Sequence, residues 1–576
     1  MRWFQRRKSS SVSWAPASSV TSAKPQSCAT LVNDQLRPEF CGPPSQDCDE
    51  ESIYRYTSGR WVWNEKEQLS CRYIKFNITE LTRIAAQVTR SKSCIQVQKL
   101  PEGNFSKVFL ITMDDGKEVI AKLPNPNAGR AHFTTASEVA TMNYVRDILN
   151  IPTPKVYTWS SSTDNPVGAE YIIMERSRGI ELGKIWDDLP GPDKFEIVKK
   201  LVEFEKAYVS TRFPMYGSLY HAKDLPEVLP CQLVDLDSKI DDTVHSVFAV
   251  GPTTNRAFFD DGRDAVDVDR GPWLSLEDYI LSRAHRELAC LQRFSKFPRQ
   301  QGLFYGPGQY LPNKESKKET LQNYIKVATF LLPKDRTLSK PVLWHPDLHG
   351  DNIFVNPSQP TEIFTIIDWQ AVNLSPLFLQ ARHPALIEFE GPIPDGFQSI
   401  NLPENFDDLS PEEQLEAKKL RAAQSLYKLY EIQLIQECPD IARALRFRHS
   451  LPGQITGLSG SIFSDGEPIV QGMLMRLQEE WSTCVGLSVP CPLSFTVEEK
   501  DRQREDEAKW SKGVELMDEF LGQVGAYWGW DGWVNHKNYE VMKERLERCR
   551  EDFLSRHSVV DKEKGQWMEV WPFIDR

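Results

Sequence analysis

A chain of 576 residues, 40% hydrophobic and 26% charged, carries enough apolar material for the cores of roughly two to four domains. Its formal charge of -12 argues against a nucleic-acid binder that neutralises phosphates over a broad basic face. No run of about eighteen apolar residues is present to span a bilayer, and the 11 cysteines lie scattered without a C-x-x-C pair, as reduced thiols do.

The first residues differ from the rest. Arg2, Arg6, Arg7 and Lys8 stand among serines, and the first acidic residue is Asp34. Without an apolar stretch this is no secretory signal. Its composition fits a mitochondrial transit peptide, with a plain basic tail on a cytoplasmic protein as the alternative. Residues 1–52 are expected to be a Ser/Pro-rich leader or disorder, with Cys41-Gly42-Pro43-Pro44 as a breaker.

Folded structure is expected from about residue 53. Ile78, Leu81, Ile84, Ala85 and Val88 recur at helical spacing, and extended runs follow at Lys107 to Thr112 and Lys117 to Leu123 around Asp114-Asp115-Gly116, a hairpin turn signal. A helix from Ala136 to Leu149 and a strand at Tyr171 to Met174 complete a small strand-rich lobe over 53–176. From 177 to 576 helical patterns dominate: Lys194 to Val209, Leu276 to Arg293, Lys317 to Leu332, Pro411 to Gln436 and Thr496 to Gly522. Residues 220–273 are irregular and long enough for an insertion or lid, and 390–576 are expected to form a C-terminal helical extension. The fold class is α+β, with a small antiparallel-sheet lobe and a larger, mainly helical one.

The chemistry concentrates in His345-Pro346-Asp347-Leu348-His349-Gly350-Asp351-Asn352, with Asp368 sixteen residues past Asn352. The strand Ile353-Phe354-Val355, a turn at Asn356-Pro357-Ser358 and a returning strand through Ile367 set Asn352 beside Asp368 at the open end of a hairpin. Two oxygen ligands there suit Mg2+ bound to phosphates, and Asp347 is placed to orient and deprotonate an acceptor hydroxyl. Phosphoryl transfer from ATP needs these parts. His345 reads as structural, bonding backbone in the catalytic loop.

Three further features depend on that company. Ile120 and Lys122 share one strand face, so Lys122 meets phosphates while Ile120 roofs a base, or else Lys122 snorkels at a strand edge. Glu138, sixteen residues on, either pairs with Lys122 or closes a capping box with Thr135. Gly103 and Ser106 flank a turn that either folds over phosphates or is an ordinary loop. The aromatic run Tyr527 to Trp533 stacks a ring-shaped substrate or anchors packing.

From about Val97 to Asp368, through Gly103, Lys122, Glu138, Asp347, Asn352 and Asp368, the chain resembles the aminoglycoside phosphotransferases, which share the two-lobed fold of protein kinases. Its length, basic leader and extra helices are similar to the large fungal branch of altered-inheritance-of-mitochondria proteins. The resemblance implies ATP and Mg2+ as cofactors, a hinge at Met174-Glu175 and a mitochondrial address. Pro346 stands where protein kinases carry Arg, Trp369-Gln370 replaces Phe-Gly, and no Ala-Pro-Glu triplet follows. Control by activation-loop phosphorylation is therefore not expected, and a small-molecule hydroxyl is the expected acceptor. The competing reading is a catalytically silent nucleotide-binding or scaffold protein.

Overall fold

The computed structural model describes residues 50–226, 231–233, 248–298, 302–394, 396 and 399–575. Residues 1–49, most of the expected leader, lie outside the described residues. The architecture is the expected α+β one, a small lobe built on an antiparallel sheet and a larger, mainly helical lobe.

The small lobe begins with α1 (Ile78–Thr89), started by the Asn77 side chain, which accepts the Glu80 N–H. Strands β1 (Cys94–Lys99), β2 (Ser106–Met113), β3 (Glu118–Pro124), β4 (Val156–Ser160) and β5 (Tyr171–Glu175) form one antiparallel sheet in the order β1-β2-β3-β5-β4. Gly116, at φ +79°, permits the tight β2–β3 turn, which the Met113 N–H closes on the Lys117 carbonyl at 2.8 Å. Strand alternation then divides β3. Val119, Ala121 and Leu123 are fully buried with Phe109, Ile111 and Ile173 against Leu81 and Ala85 of α1. That apolar face fixes the register, since a slip of one residue would expose every one of these side chains. Ile120 and Lys122 are left on the opposite face, which looks into the cleft between the lobes.

Helix α2 (Phe133–Asp147) lies on the Lys122 side of the sheet, where its Glu138 reaches the Lys122 ammonium. It starts three residues earlier than the Ala136 expected from sequence. The N-cap is His132, whose side chain makes no cap bond, and both Thr135 and Glu138 are buried inside the helix. The capping-box reading of Glu138 is thereby overturned. Tertiary contacts set the helix start instead: Glu170 accepts the His132 N–H at 2.8 Å and the Thr135 hydroxyl at 2.5 Å.

Beyond the small lobe, β6 (Ile180–Glu181) and α3 (Gly191–Tyr208) lead into the helical part. Residues 220–273 are more regular than their composition suggests. Strands β7 (Ser218–His221) and β8 (Phe248–Gly251) pair antiparallel, and Tyr220 and Ala249 pack with Phe133 and Ala136 of α2. A lid at 227–230 or 234–247 lies outside the described residues. Helices α4 (Leu276–Arg293), α5 (Lys314–Val327), α6 (Pro411–Glu437), α7 (Pro439–His449), α8 (Leu451–Leu458) and α9 (Glu467–Glu479) share one large core with the hairpin β9 (Ile353–Asn356) and β10 (Gln359–Ile366).

The last helices, α10 (Val497–Val524), α11 (Tyr539–His557) and α12 (Asp561–Val570), build a second core that takes in Val62 and Trp63, ahead of the small lobe's sheet. Trp533–Val534 pairs antiparallel with Arg60–Trp61, and the Trp63 ring meets Trp530 edge-on at 4.8 Å between centroids. The aromatic run is a packing anchor: Trp530 is 3% exposed within this core.

Candidate active site

Lys122 on β3 is where the two lobes meet. Its ammonium donates to Glu138 Oε1 at 2.6 Å within the small lobe and to Asp368 Oδ1 at 3.0 Å across the cleft. Of the two strand readings, the snorkelling one is excluded, because Lys122 is 7% exposed and Glu138 4%. Burial alone pulls the Lys122 pKa down, but the Asp368 and Glu138 carboxylates outweigh it and the net direction is upward. Asp368 moves the opposite way, held below the usual carboxylate range chiefly by the charge of Lys122. Glu138, deeper than Asp368, is pushed up by burial against the pull of the same lysine.

The hairpin places the other oxygen donors. Ile353 pairs with Ile366, and the Ile367 N–H donates to the Asn352 carbonyl at 3.0 Å, so Asn352 and Asp368 flank the hairpin's open end. Asp368 sits in the left-handed region at φ 63°, a conformation uncommon outside glycine that clusters at functional sites. Strand β9 also pairs with β6, Val355 against Ile180, which ties this hairpin to the segment leaving the small lobe.

Asp347 and its neighbours are fixed by a local network. His345 is 1% exposed; its Nδ1 accepts the Asp347 N–H at 3.2 Å and its Nε2 lies 2.9 Å from the Ile367 carbonyl. Those two contacts give the ring one tautomer, with the proton on Nε2, and burial holds its pKa below the ordinary histidine value. Asn352 Nδ2 donates to the Asp347 carbonyl at 2.9 Å, which leaves Oδ1 as the acceptor end. The Asp347 carboxylate is 72% exposed in its side chain and held low by His349 at 3.5 Å. His349 is raised in return by Asp347.

Gly103 lies in the loop joining β1 to β2, and Ser106 is the first residue of β2. A Cβ on Gly103 would meet nothing within 4 Å, so that position leaves open space. Ser106 Oγ is buried and has no hydrogen-bond partner among the described residues. The loop is anchored by Glu102, which accepts Lys107 Nζ at 2.7 Å, the Thr57 N–H at 2.7 Å and Lys99 Nζ at 3.0 Å. Sequence reasoning passed over Glu102, since nothing local marks a loop carboxylate as buried. Ile120 pairs with Met174 across β3 and β5, so both line the same end of the sheet. Glu175 turns away from the cleft, accepting the Lys155 N–H at 3.2 Å and lying 3.6 Å from Arg146.

Among the described residues, no group of three or more His, Cys, Asp and Glu side chains is placed to hold a metal. A dedicated all-protein cage is thus not on offer there. One carboxylate and one amide oxygen fit a hard cation that shares its sphere with phosphate oxygens and water. The buried, unpartnered Ser106 hydroxyl and the open space at Gly103 fit phosphates above it.

Arg256 also reaches this cleft and was not anticipated. It lies after β8, stacks on the Phe105 ring at 3.6 Å, donates to the Asn127 carbonyl at 3.1 Å and pairs with Asp260 at 2.9 Å. The large lobe thereby holds the tip of the Gly103 loop.

Residues 96–378 match the model of the phosphotransferase enzyme family, APH. A subtelomeric hrmA-associated cluster protein of Aspergillus fumigatus is 30% identical over 515 residues, covering 84% of this chain and 97% of that protein. The mitochondrial altered inheritance of mitochondria protein 9 of Yarrowia lipolytica is 23% identical over 496 residues, or 81% of this chain and 83% of its own. Among solved structures, the aminoglycoside phosphotransferase APH(4)-Ia aligns over 76% of this chain and 99% of its own at 12% identity, with a TM-score of 0.33.

Proposed function

Because this chain belongs to the phosphotransferase enzyme family, we propose that it transfers the γ-phosphoryl group of ATP to a hydroxyl of a small molecule. The observation that carries the reading is Lys122 held between Glu138 at 2.6 Å and Asp368 at 3.0 Å, with Asn352 beside Asp368 at the hairpin end.

In this reading Mg2+ and the triphosphate, when bound, bring the electrophilic phosphorus and neutralise charge on its oxygens. Asn352 Oδ1 and Asp368 are the groups that would hold the ion. Lys122 would hold phosphate oxygens, with Glu138 keeping the ammonium in place, and the Gly103–Ser106 loop would cover the phosphates. Ile120 and Met174 would flank the base, with Glu175 beside them at the hinge. Asp347 would accept the hydroxyl proton as the acceptor oxygen bonds to phosphorus and the bond to the departing ADP oxygen breaks. Its lowered pKa makes it a weak base but keeps it ionised near neutral pH. That suffices where transfer is loose and the carboxylate's main task is to orient the hydroxyl.

An address in the mitochondrion goes with this proposal, supported by the name of the Yarrowia relative and the Arg- and Ser-rich residues 1–33. A fluorescent C-terminal fusion scored against an organelle marker tests it; diffuse cytoplasmic signal speaks against it.

For the chemistry, the test pairs thermal shift with ADP release. At a hundred times its dissociation constant, Mg-ATP should stabilise the fold by about 2.7 kcal/mol. Asp347→Asn should keep that shift and lose roughly 10²–10⁴-fold of turnover. Stabilisation without any ADP release in the wild type, even with acceptor extracts present, would point to a silent nucleotide-binding protein. No Mg-ATP shift at all would remove both readings.

A further inference from the structure

The loop that carries Gly103 is held at its start by a buried charged group. Glu102 is 6% exposed and both of its carboxylate oxygens are taken. Oε1 accepts Lys107 Nζ at 2.7 Å, while Oε2 accepts the Thr57 N–H at 2.7 Å, the Thr57 hydroxyl at 3.1 Å and Lys99 Nζ at 3.0 Å. The Glu102 N–H in turn donates to Ser58 Oγ at 2.5 Å. The two lysines spend further donors on carbonyls that precede the sheet: Lys99 on Ser52 at 3.0 Å and Arg55 at 2.6 Å, Lys107 on Arg72 at 2.8 Å. Opening a buried carboxylate that is paired in this way leaves charge unanswered, so the contact is stiff.

A second anchor follows at once. Arg60–Trp61 pairs antiparallel with Trp533–Val534. Trp61 is fully buried with its Nε1 donating to Asp531 at 3.1 Å, and the Arg60 guanidinium lies 3.5 Å from the centre of the Tyr539 ring. His536 Nε2 is 3.0 Å from the Thr57 carbonyl, and a Cβ on Gly59 would stand 2.6 Å from the Val534 carbonyl oxygen. Val534 and Tyr539 belong to the core built by α10, α11 and α12. Only Ser58 and Gly59 separate Thr57, which reaches Glu102, from the strand that joins this core. An extended residue spans about 3.3 Å, so the link has no slack and a displacement of the core is passed on to Glu102. Thr57 to Trp61 and the C-terminal core all lie outside residues 96–378, the part matched by the phosphotransferase model.

We propose that residues 57–61 are a strap through which the C-terminal core positions the Gly103 loop, with Glu102 as the positioning residue, so that the C-terminal extension sets the affinity for a nucleotide's phosphates. The phosphate part rests on the phosphotransferase reading. The mechanical link stands on its own contacts.

The test uses the full-length chain with two changes at the joint. Gly59→Ala drives a methyl group against the Val534 carbonyl, and His536→Ala removes an exposed side chain that reaches the Thr57 carbonyl. Hydrogen–deuterium exchange is read over residues 100–106. Calorimetry gives the affinities for Mg-ATP and for adenosine, which has the base and sugar without the phosphates. Gly59→Ala should speed exchange in the loop and weaken Mg-ATP binding roughly tenfold, the scale of a small misplacement, with adenosine affinity unchanged. His536→Ala should act in the same direction and less strongly, and it decides alone if circular dichroism shows that Gly59→Ala is misfolded. Unchanged exchange in the loop overturns the proposal, as does faster exchange with Mg-ATP affinity intact, or with adenosine weakened as much as Mg-ATP. Faster exchange in a protein whose wild type binds neither probe would instead overturn the nucleotide reading and leave the mechanical link in place.

Discussion

On the small-lobe side of the cleft a lysine sits between two carboxylates at 2.6 and 3.0 Å, while on the far side Arg283 donates to two main-chain carbonyls at 3.0 and 2.9 Å. The two regions hold their charges differently. The Lys122 group is closed, each charge answered within hydrogen-bond distance by another side chain. On the far side Arg283, Arg382 and Arg448 line a cavity that opens beside Asp347. A closed group holds a geometry; a cavity wall selects what enters. The comparison predicts that substitutions on the first side act mainly on stability and nucleotide binding, and on the second mainly on acceptor choice.

The largest effect should come from opening the closed side. Lys122→Met keeps the length of the side chain and removes the charge, leaving Glu138 buried without its partner. Breaking a buried pair in this way typically costs about 3–5 kcal/mol. Chemical denaturation should show that loss together with the disappearance of the Mg-ATP shift. A double variant Lys122→Met/Glu138→Gln should recover part of the stability and none of the binding. If the single variant is as stable as the wild type, the ion pair is not a structural element and the contrast between the two walls fails.

A smaller effect is expected where the large lobe grips the small one. Arg256 stacks on Phe105, bonds the Asn127 carbonyl and is braced by Asp260, so it holds the loop that carries Gly103 and leads into Ser106. Arg256→Ala removes a cation–π contact and a charge-assisted bond together, about 1–2 kcal/mol. The readout is the KM for ATP, raised by roughly an order of magnitude, against a kcat that changes less. An unchanged KM would mean that the loop is positioned by Glu102 and its lysines alone.

These differences also explain what could be read from the chain. Lys122, Glu138, Asp347, Asn352 and Asp368 were legible because each is placed by short-range structure: strand alternation, one helix, one loop and one hairpin. The helix Leu276–Arg293 was legible for a similar reason, with Ser275 as an N-cap accepting the Asp278 N–H. The arginines were not legible, because Arg283, Arg382 and Arg448 come from elements far apart in sequence and no local pattern joins them. The capping box misled for the converse reason. Thr135-x-x-Glu138 has the local pattern, but Glu170, from another element, decides where α2 begins. Residues 220–273 looked irregular since β7 and β8, four residues each, pair across a long separation and carry too few residues for a period to show.

The smallest effect is a pH signature that separates the two walls. Lys122 lowers the Asp368 pKa in the folded protein below the value of about 3.9 expected when unfolded. A depressed carboxylate stabilises the fold above its unfolded pKa, and the contribution is lost as pH falls through the lower folded value. Because the Asp368 side chain is 45% exposed, solvent screens the interaction and the contribution should stay within about 1 kcal/mol. Thermal unfolding from pH 5 down to pH 3 should therefore fall more steeply in the wild type than in Asp368→Asn. Arg382→Gln, which removes a guanidinium whose charge is fixed across that range, should leave the slope nearly parallel to the wild type. If Asp368→Asn retains the full acid slope, Asp368 is not held by Lys122 in solution, and the closed side of the cleft is open after all.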